Sequence, residues 1–452
     1  MASLTKKIGE GTLFITSQRF ITTGLSILTS LLVIKYLGQY QYGILVLAMS
    51  IVAMVSTFLD FGIGIVITSD IANYIGEKSY GHVKRLIKDY FWSQLILGSL
   101  WAFLILILTI FLNQTSTIKY LVYIAAGMLF IMGFKNVFLT VLNSFSYFKL
   151  FALIQVSEIL VKFILLLIFV VGLGKGLIWI MLINFLSSLS VVFIGGLVFL
   201  KIILPLRKSN IANEHLLFDV VRKHGKWQIV YQILKSSSEN LRYWVITFFV
   251  GVNGVAIYNV AIQIISHLTK FTGSLEAVLL PVLSEELARS KELAKKIIDR
   301  SIKYSLWLVS AIMLISSFVI PYFLVLFFGD KYLSSIPVFQ VMLFALPTSA
   351  LGVVFRPIFF YFKEQKSLFF IGLKINLHTI PISVLLTYFL GVFGYAIPIP
   401  EYYGLYLRYQ YLKKKYNYLQ FDWKGIVMFD DYDKQLLSKI FRLITNKFKK
   451  ND

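Results

Sequence analysis

Apolar runs of about 17–25 residues, the length a helix needs to cross a bilayer, recur from near Thr12 to near Tyr406. Short turns separate them, basic on alternate sides. With 58% apolar and only 15% charged residues, and a mean hydropathy of +0.77, so much surface cannot be hidden in a water-soluble core. A soluble domain holds about 45–50% apolar residues and about a quarter charged ones. Lipid offers backbone groups no partner, so these runs are predicted to be helices with internally satisfied ladders. No alternating pattern suggests a membrane barrel. The expected fold is an all-α polytopic membrane protein of about twelve spans, starting near residues 12, 41, 90, 118, 151, 176, 227, 255, 304, 336, 368 and 391. The last is the least regular, because Pro398, Pro400 and Glu401 interrupt it.

Orientation follows from the basic residues. Turns after odd-numbered spans hold only Lys35, Lys119, Lys175 and Lys331. The other side takes Lys6, Lys7, Lys78, Lys84, Arg85, Lys88, Lys149, Arg207, Lys208, Arg222, Lys223, Lys226, the Arg289–Lys303 cluster, Lys363, Lys366 and the C-terminal tail. Both termini are thus expected in the cytoplasm, with the first run retained as a helix because no small-residue cleavage site follows it. The same asymmetry accounts for most of the net charge of +22, so nucleic acid is not an expected partner.

The chain reads as a duplication. Aligning Gly38 with Gly251 gives an offset of 251 − 38 = 213, at which Ile44, Ala48, Ile51 and Phe58 meet Ile257, Ala261, Ile264 and Phe271. The spans near Tyr90 and Lys303 also coincide. Six spans per half keep both halves in one orientation, which predicts two lobes related by a pseudo-two-fold axis along the membrane normal, a transporter plan of alternating access. The expected divisions are an N-terminal lobe over 1–205, a cytoplasmic linker over 206–226, a C-terminal lobe over 227–407 and a basic tail over 408–452. His82–Tyr90 and Glu285–Arg300 read as short amphipathic helices at the cytoplasmic face. In the tail, Leu436, Leu437, Ile440, Phe441, Ile444 and Phe448 fall at helical spacing among Lys434, Lys439, Arg442 and Lys447. That pattern suits anionic inner-leaflet lipids, or simply anchors the topology.

Charges inside the spans are the sharpest signal, since each is costly in hydrocarbon and is usually paired or functional. Arg19, Lys135, Lys162, Lys235, Arg242, Lys270, Arg356 and Lys374 stand against Asp60, Glu158, Glu239 and Glu276. The bases fall in the middle or the cytoplasmic half of their runs. Such a surplus does not suit a cation pore; it suits a cavity for an anionic headgroup, with Arg forks on phosphate and Lys as point charge. Arg19, Lys162, Lys235, Arg242, Lys270, Arg356 and Lys374 are the candidate substrate-binding bases, and Asp60, Glu158, Glu239 and Glu276 the candidate coupling or ion-pair acids. Glu158 and Lys162, four apart, can equally form a purely structural pair. Lys135, Arg356 and Lys374 can instead snorkel to the interface. His267 and His378 read as polar bundle contacts rather than proton relays.

Soluble chemistry is not expected. With no cysteine, disulfides and thiol sites are excluded. Gly172–Gly176 lacks the spacing and the Ser or Thr of a phosphate loop. Asp431-Tyr-Asp433 echoes an acidic glycosyltransferase motif without a nucleotide-binding fold around it. No catalytic residue, metal site or cofactor is expected; energy would come from a proton or sodium gradient, the membrane potential or downstream consumption.

Several turns then resemble one family. They are Gly9–Gly11 leading into Arg19, Tyr36-Leu37-Gly38-Gln-Tyr-Gln-Tyr42-Gly43, Leu59-Asp60-Phe61-Gly62-Ile63-Gly64, Gly251-Val-Asn-Gly254-Val-Ala-Ile-Tyr258 and Leu280-Pro281-Val282-Leu283-Ser284. Over residues 1 to about 412 the chain resembles Wzx-type O-antigen and capsule flippases, in the superfamily that also holds multidrug-and-toxin extrusion transporters and the lipid II flippase. The resemblance implies a bacterial inner-membrane protein, not an enzyme, that moves undecaprenyl-diphosphate-linked oligosaccharide to the outer leaflet, with a polysaccharide polymerase downstream. It gives Arg19, and by position Lys235 or Arg242, a role at the diphosphate. An ion-coupled multidrug exporter and a membrane glycan polymerase remain as alternatives. The first would want more buried carboxylates, the second a larger outside loop.

Overall fold

A computed structural model of the chain describes residues 2–60, 63–111, 116–206, 216–220, 226–289, 291–362 and 364–416. The linker expected over 206–226 and the amphipathic segment of the tail lie almost wholly outside them, as do Phe61, Gly62 and the Asp431–Asp433 motif. Among the described residues there is no strand. The helices are α1 (Ala2–Tyr36), α2 (Gln39–Asp60), α3 (Gly64–Gly76), α4 (Tyr80–Phe111), α5 (Ser116–Ser144), α6 (Phe148–Leu166), α7 (Leu177–Leu206) and α8 (Leu216–Val220). They continue with α9 (Lys226–Val250), α10 (Val252–Arg289), α11 (Lys291–Phe328), α12 (Ser335–Leu343), α13 (Leu346–Tyr361), α14 (Gln365–Leu390), α15 (Phe393–Ala396) and α16 (Ile399–Lys415).

Nine stretches among the described residues are long and apolar enough to cross a membrane. Helices α9, α10 and α16 are not in that set, although spans are expected near 227, 255 and 391. Their polarity is the reason: α9 carries Lys235, Glu239 and Arg242, and α16 ends in Lys413, Lys414 and Lys415. The span expected near 336 is split between α12 and α13. His82–Tyr90 is not a separate amphipathic helix but the opening turns of α4. Likewise the segment from Glu285 forms the end of α10 and the start of α11.

Two compact units form. The first comprises Met1–His267, Val319–Met342 and Gln365–Pro398; the second comprises Leu268–Phe318, Leu343–Glu364 and Ile399–Asp452. In the first, α4 and α5 lie close, as do α5 with α7, α1 with α6, α6 with α7 and α9 with α14. Small residues permit this: a Cβ on Gly133 would stand 2.8 Å from the Gln94 carbonyl oxygen, so only glycine lets α5 approach α4 there. Ile67, Ile71, Leu86, Tyr90, Val137, Val141 and Val191, all fully buried, form an apolar core in this bundle. Phe138 and Phe199 pack beside them with ring centroids 4.9 Å apart. Lipid supplies no hydrophobic drive between helices, so interlocking of this kind is what fixes their register.

The second unit is tied at the end of α16. Phe362 stacks on Tyr416 at 3.9 Å and Phe359 on Tyr411 at 5.6 Å. Glu364 accepts bonds from the hydroxyls of Tyr411 at 2.7 Å and Tyr416 at 3.1 Å, and pairs with Lys415. Hydrogen bonds from Lys415 to Glu364 and Tyr411 hold its ammonium above the usual lysine range. Burial, with Glu364 beside it, pushes the Tyr416 phenol up to about 12.

Candidate functional site

Within the first unit, α5, α6 and α7 bring together a polar cluster among apolar helices. Lys135 on α5 and Glu158 on α6 form an ion pair at 2.5 Å. Ser188 on α7 donates to the same carboxylate oxygen at 3.3 Å. Glu158 is therefore engaged by a base from another helix, not by Lys162 on its own. The structure corrects both the intrahelical pair expected four residues apart and the snorkelling alternative for Lys135. Lys162, half-buried one turn further along α6, feels Glu158 and Lys135 electrostatically but has no carboxylate of its own. Two ammonium groups thus share one acid. On the same face of α6, Gln155 accepts from the buried Gln18 of α1 at 3.3 Å, so the polar stripe runs on toward α1.

A second cluster sits on α9. Thr57 of α2 donates to Ser236 at 2.7 Å. Lys235 and Glu239 are exposed. Arg242 donates to the Tyr258 hydroxyl at 3.3 Å and to the backbone carbonyl of Glu239. Its guanidinium lies 5.7 Å from the Tyr243 ring centroid and 6.0 Å from that of Tyr258. It is held by neutral groups, with cation–π attraction taking the place of a carboxylate. Arg19, Lys270 and Lys374 are exposed, and the last accepts at its carbonyl a 2.7 Å contact from His378. The side chains of Arg356 and Glu276 lie outside those described. Of the expected bases, Lys162, Lys235, Arg242, Arg19 and Lys374 belong to the first unit, Lys270 and Arg356 to the second.

Asp60 ends α2 at the turn into α3. The Tyr90 hydroxyl donates to it at 2.6 Å and the Gly64 amide also reaches it. A Cβ on Gly64 would stand 3.2 Å from both the Asp60 carboxylate and the Thr140 hydroxyl. The Asp60 carboxylate thus takes an otherwise unpaired amide of the first turn of α3.

Neutral polar residues that the sequence does not single out form a hydrogen-bonded network. Tyr42 donates to Asn259 at 2.7 Å, and Asn259 donates to the Tyr243 hydroxyl at 3.0 Å. Gln263 donates to the same Asn259 oxygen at 3.0 Å. Tyr42 and Tyr258 stood within recognisable turn motifs, the one available signal. Lys303, grouped by sequence with the cytoplasmic basic cluster, is almost fully buried in the second unit, 5.2 Å from the Trp307 ring centroid. Among the described residues no group of acids and histidines is placed to hold a metal.

Long apolar helices with ionisable groups at mid-span define a multi-pass membrane protein. Its fold is that of known transporters. The lipid II flippase MurJ in an inward closed conformation aligns over 92% of this chain and 89% of that one, with a TM-score of 0.69 and 14% identity. The inward-facing conformation of a multidrug resistance MATE family transporter of the MOP superfamily covers 88% of this chain and 95% of that one, with a TM-score of 0.68 and 19% identity. In sequence, the chain is 25% identical over 407 residues to an uncharacterized membrane protein of Methanocaldococcus jannaschii, 84% of this chain and 78% of its relative. Residues 8–287 match the family described as polysaccharide biosynthesis protein. The chain belongs to that family.

Proposed function

We propose that the chain flips undecaprenyl-diphosphate-linked oligosaccharide repeat units from the cytoplasmic to the outer leaflet of a bacterial cytoplasmic membrane, for O-antigen or capsule synthesis. The observation that carries this reading is the positive surplus at mid-span: Glu158 neutralises Lys135 and leaves Lys162 over. An exposed ammonium on a span faces either lipid, at about 2.5–3.5 kcal/mol, or an aqueous cavity. The accessibility of Arg19, Lys235 and Lys374 in the first unit therefore supports a water-filled, cationic path, suited to a diphosphate and hostile to a cationic drug. In this reading both termini are cytoplasmic and the two sequence halves, 1–205 and 227–407, move as lobes. The tail over 408–452 rests on anionic inner-leaflet lipid, and the product passes to a polysaccharide polymerase. A proton, a sodium ion or the membrane potential drives the cycle.

The test is binding by the purified chain, measured by native mass spectrometry. Undecaprenyl diphosphate should be retained, and the neutral undecaprenol should not. Preference for a lipophilic cation, or equal retention of both lipids, would sink the flippase reading and favour a drug exporter.

A further inference from the structure

Among the described residues, the hydrogen bonds that tie the α1–α2 turn to the second sequence half lie at one end of the first unit and join neutral groups, or a lysine to backbone carbonyls. Lys331 donates to the Leu37 carbonyl, and at 3.4 Å to that of Lys35, while Gln39 donates back to the Lys331 carbonyl. Just inside, a Cβ on Gly43 would stand 2.2 Å from the Val252 carbonyl oxygen, so the α2 and α10 backbones touch. Next come the Tyr42–Asn259–Tyr243 bonds, with the Tyr332 ring edge-on to Tyr42 at 6.4 Å. Innermost is Arg242, on the faces of Tyr243 and Tyr258, with the Tyr258 hydroxyl directed at the Tyr395 carbonyl at 3.4 Å.

Tyr243 belongs to two of these layers. Its hydroxyl accepts the Asn259 amide, which leaves the Asn259 oxygen aimed at Tyr42, while its ring carries the Arg242 guanidinium. A bond network of neutral groups is weak enough to open, and a guanidinium held by phenols and one backbone carbonyl exchanges them readily for phosphate, which offers bidentate, charge-assisted bonds.

We propose that this layered contact is a releasable outer gate and that Arg242 is its trigger: an anionic diphosphate arriving from below draws Arg242 off Tyr243 and Tyr258, which loosens Asn259 from Tyr42. This rests on the orientation and anionic substrate proposed above. A ligand shifts a conformational equilibrium only by binding one state better than the other; here the open state alone frees Arg242 for the ligand.

The chain has no cysteine, so a single reporter suffices. Ser266, exposed on α10 two turns below Asn259, becomes S266C and is labelled in proteoliposomes of defined orientation by a membrane-impermeant maleimide added outside. Labelling should be slow in the parent. Tyr42→Phe should raise it about fivefold, the weight of one neutral hydrogen bond, and Gly43→Leu, which wedges α2 from α10, should raise it further. Unchanged labelling in both variants, with each still monodisperse, would overturn the gate. Undecaprenyl diphosphate should accelerate labelling in the parent but not in Arg242→Gln. Acceleration in both, or in neither, would overturn the trigger. Binding separates the two failures. If the parent still retains undecaprenyl diphosphate, the trigger fails and the flippase reading stands; if retention is lost as well, that reading has failed.

Discussion

Two polar clusters inside one helical unit solve the same problem in opposite ways. Around Glu158 the solution is ionic: a carboxylate pairs with Lys135 at 2.5 Å, takes a serine hydroxyl and leaves Lys162 as the remainder. Around Arg242 it is neutral: phenols, a carbonyl and a carboxamide hold the cation and each other. The contrast is one of permanence. Removing one member of an ion pair strands a charge in a poorly solvated place, so such a pair resists rearrangement. Neutral hydrogen bonds exchange at modest cost. The first cluster is built to stay and to present one surplus charge, the second to be made and unmade.

That contrast sets the order of expected stability effects. Glu158→Gln leaves two ammonium groups without a carboxylate. It should cost about 2 kcal/mol of thermal stability in detergent, less than a fully buried pair because both partners are about a fifth exposed. The double variant Lys135→Met/Glu158→Gln should recover most of it, and full additivity of the two losses would show that they do not interact. Tyr42→Phe should cost only about 1 kcal/mol, the worth of a neutral bond; a loss as large as that of Glu158→Gln would erase the distinction between the clusters. Lys162→Met removes the surplus charge and leaves the pair intact. Stability should move by no more than about 0.5 kcal/mol, as for a substitution that breaks no bond, while transport falls by at least about tenfold, the equivalent of a single lost charge contact. Unimpaired transport would remove Lys162 from the substrate path.

The smallest effect concerns the Glu364 cluster of the second unit. Lys415 and Tyr416 both titrate higher there than in an unfolded chain. Their contribution is therefore complete below the unfolded values of about 10 and is lost as pH rises through the folded ones. Proteolysis of the α16 end should be unaffected at neutral pH and accelerate only above about pH 10. Acceleration on acidification from pH 8 to about 6 instead would show that Lys415 and Tyr416 do not govern the tie.

Much of the fold was legible because a bilayer imposes one rule on every span: apolar runs near Gln39, Ser116, Phe148 and Leu177 became helices where expected. The charged residues were legible as anomalies but their partners were not. Spacing along α6 shows Lys162 beside Glu158, whereas the group that takes Glu158 comes from α5, and no helical period reveals a neighbour on another helix. Asn259 was missed for a related reason. A neutral carboxamide costs little in a polar stretch, so only its three bonds in the folded chain, to Tyr42, Tyr243 and Gln263, disclose its place. The glycines stood out in sequence as turn formers. In the structure Gly43 matters because the Val252 carbonyl lies where its Cβ would be.

The decisive measurement is the leaflet distribution of the lipid-linked oligosaccharide in the native host, with and without this chain. Finished repeat units should accumulate on the cytoplasmic leaflet when the chain is absent, and return to the outer leaflet on re-expression of the parent but not of Lys162→Met. Unchanged lipid intermediates and normal glycan export in its absence would contradict the flippase.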